Sequence, residues 1–202
     1  MNFTGERPTM QAEMRSSRMR YKTLIPYIFG CTVYDYGCGI GHGSYLLARY
    51  ARSVIGYDVC KEAIEEARTR FSYPNLRFTD KFEISEWGSA SVFVAVESIE
   101  HLERTELEML ISTVSKNTGA MLVTTPNGDQ FPYHPATIAE RRGFHVWHYT
   151  YKELQDLFGK YFPYVVITGH CFDPAFAGGH FTGYTVFASD QYGWAEEMWM
   201  NV

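Results

Sequence analysis

Residues 33–43 have the sequence VYDYGCGIGHG, in which a short apolar and aromatic run leads into Gly37, Gly39, Gly41 and Gly43. Glycine at every second position suits neither a strand nor a helix, because each one costs about 0.5–1 kcal/mol relative to alanine in an ordered element. In a turn between a strand and a helix, the same glycines let another group approach the backbone closely. The stretch therefore predicts a strand, a glycine-rich loop and a helix, with the loop available to a ligand.

Strand and helix patterns alternate on the C-terminal side of this stretch. Five segments have the apolar character of buried strands: 32–36, 53–58, 76–79, 91–96 and 120–126. Amphipathic patterns predict helices at 9–29, 44–52, 61–71, 99–116 and 151–162. Residues 164–169 and 184–189 predict an antiparallel hairpin at one edge of the sheet. The expected fold class is α/β, doubly wound, with a mostly parallel sheet and this antiparallel C-terminal edge hairpin.

The composition is that of a globular domain. The chain has 202 residues, of which 46% are hydrophobic and 20% charged, which is enough to bury one core. The net charge of −5 argues against a basic surface for duplex nucleic acid. No apolar run has the 18–20 residues or so of a membrane helix, so no membrane partner is expected. Scattered cysteines without a CxxC pair indicate reduced thiols and a cytoplasmic location, whereas the oligomeric state is not predicted.

A carboxylate after the second predicted strand indicates what the loop binds. Asp58 lies 21 residues after Gly37, where a carboxylate can accept hydrogen bonds from both hydroxyls of a ribose. The dinucleotide fingerprint G-x-G-x-x-G would need glycine at position 42, which is His42. This mismatch disfavours a nicotinamide dehydrogenase, and another nucleoside-containing cofactor is expected.

At these residues the sequence resembles the class I S-adenosylmethionine-dependent methyltransferases. DYGCGIGHGS (35–44) resembles their first motif, with Asp35 at its head, and GYDV (56–59) resembles the acid-bearing second motif. Later segments resemble those that follow the third, fourth and fifth strands in the family: FTDKF (78–82), VAVESIEHL (94–102) and TTPNG (124–128). The resemblance covers roughly residues 30–190 and implies S-adenosylmethionine as the cofactor.

The resemblance also implies which residues bind the cofactor. Gly37 and Gly39 would lie against its methionine end, and Glu97 is a further candidate that would contact the methionine amino group if it does not hold a metal. The remaining cofactor-binding candidates are Asp35, Asp58, Val59 and Asp80, of which Asp80 matches an adenine-contacting acid. FTGER (3–7) and RMRY (18–21) resemble enzymes of sugars and glycans in which an N-terminal helix closes over the cofactor. Arg20 and Tyr21 are candidates for that lid, and Tyr21 is also a cofactor-binding candidate. We therefore expect a helical lid segment at 1–30 and a single S-adenosylmethionine-binding methyltransferase domain at 31–202.

A second constellation predicts a metal. Glu97, Glu100 and His101 are spaced i, i+3 and i+4, and they would share one face if a helix began here. Carboxylates and an imidazole suit Mg²⁺ or another divalent cation, which would lower the pKa of an acceptor hydroxyl. The E-x-x-E-H pattern resembles two metal-using groups, the ubiquinone-pathway O-methyltransferases and the small-RNA 3′-terminal 2′-O-methyltransferases. In the RNA group a later histidine joins the site, and His145 matches it better than His148.

Alternatives stay open for the mechanism and the acceptor. Without a metal, Glu97 and His101 would be the catalytic groups, with His101 as a general base. Aromatic residues and histidines between 126 and 150 suit a sugar, a phenol or a stacked base about equally. The leading expectation is an O-methyltransferase that acts on a small molecule or glycan. A terminal RNA 2′-O-methyltransferase and a non-catalytic S-adenosylmethionine-binding subunit are the alternatives.

Overall fold

Seven strands form one sheet in the computed structural model, which describes residues 13–83, 91–136, 145–173 and 180–191. The strands are β1 (Thr32–Tyr36), β2 (Ser53–Tyr57), β3 (Leu76–Thr79), β4 (Ser91–Val96), β5 (Ala120–Pro126), β6 (Tyr164–Asp173) and β7 (His180–Ser189). Their spatial order is β3-β2-β1-β4-β5-β7-β6. The first five are parallel to one another, whereas β7 is antiparallel to both β5 and β6. The predicted fold class and the edge hairpin are confirmed.

Helices cover both faces of the sheet. They are α1 (Glu13–Leu24), α2 (His42–Leu47), α3 (Lys61–Arg70), α4 (Arg104–Asn117) and α5 (Tyr151–Phe158). The helix predicted at 44–52 begins earlier, directly after the glycine loop, and ends at Leu47. No helix in the described part of the chain is long and apolar enough to cross a membrane.

The prediction of a helix across 99–116 is wrong at its start. Glu97 has a left-handed φ of 49°, which ends β4 in a sharp turn, and a short 3-10 helix follows at Ile99–His101. The helix α4 begins only at Arg104, because Glu103 and Glu106 form a reciprocal capping box there. Glu97, Glu100 and His101 therefore do not share one helix face.

Two apolar layers enclose the central strands β4 and β5. Side chains alternate between them, so that Phe93 packs on the side of α4 and α5 while Val94 packs on the side of α1 and α2. Four side chains of the predicted lid segment are buried in the second layer: Tyr21, Leu24, Tyr27 and Ile28. The described part of the segment is thus continuous with the core. The division into a lid at 1–30 and a domain at 31–202 stays a prediction, and residues 3–7 lie outside the described residues.

Candidate active site

The four glycines of the loop border different surroundings. A Cβ on Gly37 would lie 2.5 Å from the Ser98 Oγ, and one on Gly41 would lie 2.6 Å from the Phe78 ring. A Cβ on Gly43 would overlap the Tyr21 ring. Protein packing therefore accounts for the missing side chain at these three positions. Among the four glycines, only Gly39 would carry a Cβ with no atom of the described residues beyond its chain neighbours within 4 Å, so in the described part of the protein it borders open space.

Asp58 connects the end of β2 to this loop. Its Oδ2 accepts a hydrogen bond from the Gly39 N–H at 2.8 Å, and its Oδ1 accepts one from the Cys60 N–H at 2.8 Å. Each carboxylate oxygen has a further lone pair, so Asp58 can still accept from hydroxyls of a ligand. The adjacent Val59 has 49% of its surface exposed.

Asp80 lies just beyond β3, at the same edge of the sheet as Asp58. Burial, followed by the negative charges of Asp58 and Asp80, raises the pKa of the Tyr57 hydroxyl between them. The two predicted cofactor-binding acids therefore lie close to one another, as contacts with one nucleoside require.

Asp35 is fully buried beneath the loop. The Tyr21 hydroxyl donates to its Oδ1 at 3.0 Å, and the Ser44 hydroxyl donates to its Oδ2 at 2.5 Å. Burial raises the pKa of Asp35 to about 7, although both hydrogen bonds oppose the shift. Tyr21 is itself only 3% exposed. Both residues thus support the loop from within the core, and any contribution of theirs to cofactor binding would act through the loop.

Glu97 pairs with a cation from α1. Its Oε1 lies 3.3 Å from the Arg20 Nε and accepts a hydrogen bond from the Thr124 hydroxyl at 2.9 Å. The Arg20 Nε also lies 3.4 Å from the His170 Nε2, which ties α1 to β6. Burial raises the pKa of Glu97, and the charge of Arg20 opposes that shift. A left-handed residue that is not glycine is strained by about 1–3 kcal/mol, and such strain clusters at functional sites.

Three predicted metal ligands come together. Glu100, His101 and His145 each offer a ligand atom, and these atoms all lie within 4.8 Å of one another. Glu100 is 1% exposed, and its buried Oε1 has no hydrogen-bond partner among the described residues. Leaving a buried carboxylate oxygen without a partner is costly, and a cation beside it would remove that cost. The donor set therefore fits a divalent metal.

The chemistry of these donors narrows the choice of metal. One carboxylate with two imidazoles suits a transition ion such as Mn²⁺, Fe²⁺ or Zn²⁺ better than Mg²⁺, which prefers oxygen ligands. Glu97, the fourth predicted ligand, lies outside this group of three because its carboxylate pairs with Arg20. Its charge nonetheless reaches the group, since burial and then Glu97 raise the pKa of Glu100.

Backbone hydrogen bonds bring His145 to the other two ligands. The N–H groups of Val146 and Trp147 donate to the Glu100 carbonyl at 2.7 Å and 3.2 Å. The ring centroids of His101 and His145 are then 4.9 Å apart. This pairing joins the segment before α5 to the 3-10 turn after β4.

Sequence reasoning missed several residues of the site. Thr124 and Thr125 hydrogen-bond Glu97 and Glu100 respectively. Two threonines at the end of a buried strand were the available signal, since the carboxyl ends of parallel strands form ligand sites. No comparable sequence pattern connected His170 to the site, because its contact partner, Arg20, lies 150 residues away in the chain.

Curated proteins with similar sequences are named as methyltransferases. Residues 33–118 match the methyltransferase-domain family. A "probable S-adenosylmethionine-dependent methyltransferase" of Mycolicibacterium smegmatis is 30% identical over 162 residues, or 77% of this chain and 62% of that protein. A protein of the same description from Mycobacterium tuberculosis is 28% identical over 164 residues, or 78% of this chain and 59% of that protein. The chain thus spans about three fifths of the length of these relatives.

Solved structures share the fold at low sequence identity. The methyltransferase domain of bacterial Hen1 has a TM-score of 0.64 and 20% identity, covering 88% of this chain and 100% of that one. The magnesium protoporphyrin IX methyltransferase of Synechocystis, solved with bound S-adenosylmethionine, has a TM-score of 0.60 and 15% identity, covering 93% of this chain and 87% of that one. Residues 33–118 thus match a methyltransferase domain, and the sheet order, the motifs and these relatives support a class I S-adenosylmethionine-dependent methyltransferase.

Proposed function

We propose that the protein transfers the methyl group of S-adenosylmethionine to a hydroxyl of a small molecule or glycan, assisted by a divalent cation. The observation that carries the proposal is the group of Glu100, His101 and His145, with its unpartnered buried carboxylate oxygen. This group follows β4, whose carboxyl end lies beside that of β1, where the glycine loop begins. A methyl donor and an assisted acceptor would thus meet at one edge of the sheet.

The cofactor would occupy the open space beside Gly39. Asp58 would accept hydrogen bonds from the ribose hydroxyls, and Asp80 would contact the adenine. Arg20 and Glu97 form a cation and a carboxylate side by side, 3.3 Å apart. Such a pair is complementary to the zwitterionic methionine end, whose carboxylate would face Arg20 and whose ammonium would face Glu97.

The chemical step needs positioning more than activation of the donor. The sulfonium already activates the methyl group, so the protein must hold the acceptor oxygen in line with it. A bound cation supplies a Lewis acid that eases loss of the hydroxyl proton. Burial, with His101 and His148 nearby, lowers the pKa of His145 to about 4, so His145 is neutral and able to ligate at neutral pH. In the metal-free alternative, His101 would accept the proton as a general base.

Aromatic rings beside the three ligands favour a small acceptor with a flat apolar face. The rings of His134 and Trp147 stack at 4.2 Å, and the Tyr133 ring lies 5.3 Å from that of His148. Such rings suit the face of a sugar or phenol. The second candidate acceptor is the 2′-hydroxyl at an RNA end, favoured by the presence of His145 in the ligand group and opposed by the net charge of −5.

Transfer of labelled methyl groups tests the proposed reaction. The protein would be incubated with methyl-labelled S-adenosylmethionine and separate small-molecule, polysaccharide, RNA and protein fractions of a lysate. We expect label in the small-molecule or polysaccharide fraction, lost with a chelator and restored by Mn²⁺. Label that is indifferent to the chelator would contradict the metal and favour His101 as the base. Label confined to RNA would favour the second candidate, and cofactor binding without label in any fraction would favour a non-catalytic subunit.

Two matched variants separate the metal from the cofactor. Glu100→Gln should abolish the metal-dependent part of the transfer and leave S-adenosylmethionine binding intact. Glu65→Gln, which alters an exposed carboxylate on α3, should change neither. Full metal-dependent transfer by Glu100→Gln would contradict the proposed ligand.

Asp58→Ala tests the cofactor site. Loss of hydrogen bonds to a charged group should weaken S-adenosylmethionine binding by about 1–3 kcal/mol, measured by calorimetry. Asp190→Ala removes an exposed carboxylate after β7 and should leave the affinity unchanged. An unchanged affinity in Asp58→Ala would contradict the proposed ribose contact.

A further inference from the structure

We propose that His148 is a positioning residue that selects the ring tautomer of His145 and leaves the Nε2 of His145 as the free ligand atom. The inference deepens the proposed function and rests on its metal group. His148 is not a member of that group, which consists of Glu100, His101 and His145.

A backbone carbonyl, which can only accept a hydrogen bond, fixes the protonation of one nitrogen of His148. The Nδ1 of His148 lies 2.6 Å from the Phe131 carbonyl oxygen, so this nitrogen must carry a proton. A neutral imidazole has one protonated and one unprotonated nitrogen. The Nε2 of a neutral His148 is therefore an acceptor.

The acceptor nitrogen of His148 in turn fixes which nitrogen of His145 is protonated. The Nε2 of His148 lies 2.6 Å from the Nδ1 of His145, and their ring centroids are 4.9 Å apart. Because the Nε2 of His148 accepts, the Nδ1 of His145 must donate. The proton of a neutral His145 then resides on Nδ1, and its Nε2 keeps the lone pair that a metal needs.

The hydrogen bonds from the Phe131 carbonyl through His148 to His145 form a relay. Contacts of the His148 backbone hold this relay in place. Its N–H donates to the Tyr133 carbonyl at 3.0 Å, and its carbonyl oxygen lies 2.8 Å from the Nε2 of His134. Segment 131–134 and the segment before α5 are thus joined on both sides of His148. A ligand histidine whose second nitrogen is anchored in this way loses one tautomer and one rotational freedom before a metal binds.

Nitrogen NMR of the metal-free protein tests the tautomer directly. Two-bond ¹H–¹⁵N spectra distinguish protonated from unprotonated ring nitrogens, and signals of His145 would be assigned by their loss in His145→Gln. We expect a protonated Nδ1 and an unprotonated Nε2 in His145 of the wild type at neutral pH. In His148→Phe, which keeps a ring but offers no acceptor, we expect this preference to be lost. A proton on the Nε2 of His145 in the wild type would overturn the proposal.

Metal affinity supplies a second readout that does not depend on turnover. Binding of Mn²⁺ measured by calorimetry should weaken about 10–100-fold in His148→Phe, as is typical when the partner of a ligand histidine is lost. His148→Gln places an amide oxygen near His145 and should retain more affinity than the phenylalanine variant. Tyr73→Phe alters an exposed ring in the turn before β3, away from the relay, and it should bind Mn²⁺ as the wild type does.

The outcomes separate this inference from the proposed function. Wild-type affinity in His148→Phe, with an unchanged melting temperature, would overturn the relay and leave the metal site standing. A wild type that binds no Mn²⁺ but shows the expected tautomer, lost in His148→Phe, would support the relay and overturn the metal site. Equal loss of affinity and of melting temperature in the His148→Phe and His148→Gln variants would overturn the relay in favour of general destabilisation.

Discussion

At the scale of single residues, glycine has different roles at two positions of the same loop. Gly37 and Gly39 both have a left-handed φ, of 70° and 53°. The first is adjacent to Ser98, whereas the second borders open space. A side chain at Gly37 would thus collide with the protein, whereas a side chain at Gly39 would strain the left-handed backbone and collide only with what binds there.

Gly39→Val should abolish S-adenosylmethionine binding in a protein that still folds. The side chain would occupy the proposed cofactor space, and the left-handed backbone would cost about 1–2 kcal/mol of stability. Gly30→Val is a matched control, because Gly30 has φ 70° and equally open surroundings on an exposed turn before β1. Both variants should lose similar stability by chemical denaturation, and only Gly39→Val should lose the cofactor. Retained binding in Gly39→Val would place the cofactor elsewhere.

Asp35 should make the protein less stable as the pH rises. Its pKa is raised from an ordinary 3.8 to about 7 by burial, so the folded state holds a proton that the unfolded state releases above pH 3.8. This contribution is fully present below pH 3.8 and is lost as the pH rises to about 7. The free energy of unfolding should fall by about 1.4 kcal/mol per pH unit in that window from this group alone.

Asp35→Asn isolates this contribution from that of the histidines. Burial lowers the pKa of His145 and of His170 to about 4, which makes stability rise with pH between about 4 and 6.5 and opposes the effect of Asp35. Both histidines are present in the variant, so the difference between the wild type and Asp35→Asn reports on Asp35. Urea denaturation from about pH 4 to about pH 8 measures it. A difference that does not vary with pH would contradict a buried, protonated Asp35.

At the scale of elements, short connections decide where the side chains of the site lie. The 3-10 turn at Ile99–His101 replaces the first turn of the predicted helix, and it places Glu100 and His101 towards the segment that carries His145. That segment ends at Thr150, which caps α5 by exchanging hydrogen bonds with Glu153. The ligand group therefore depends on two connections rather than on one helix face.

Thr150→Ala should lower the free energy of unfolding by about 1 kcal/mol, because it leaves an N–H of the first turn of α5 without its cap. Thr150→Ser keeps the hydroxyl and should lose much less. Thermal melting with urea titration compares the two. Equal losses in both variants would assign the effect to the methyl group of Thr150 instead of the cap.

At the scale of the whole molecule, α1, the helix that the resemblance implies would close over the cofactor, packs into the core. Leu24 is fully buried against the second apolar layer. Leu24→Ala should therefore cost about 2–5 kcal/mol in one cooperative unfolding transition. Met19→Ala, at a residue of the same helix that is 56% exposed, should stay within about 0.5 kcal/mol of the wild type. A separate early transition in Leu24→Ala would instead indicate an independent lid.

Local sequence patterns were sufficient to predict the fold class and the edge of the sheet at which the candidate site lies. The strands at 32–36, 76–79, 91–96 and 120–126 match their predictions because buried strands are local apolar runs bounded by turns. Gly39 and Asp58 follow the ends of adjacent parallel strands, which places them together in any sheet of this order.

Which side chains meet at that edge depends on the tertiary structure. It pairs Glu97 with Arg20, and it brings His145 to Glu100 through hydrogen bonds from the N–H groups of Val146 and Trp147. These contacts link residues far apart in the chain, and a periodic pattern carries no information about them. The start of α4 was predicted too early, because the helical pattern extends before Glu103 whereas the capping box begins the helix there. Local periodicity determines the elements, whereas packing and hydrogen bonding between distant segments determine the chemistry of the site.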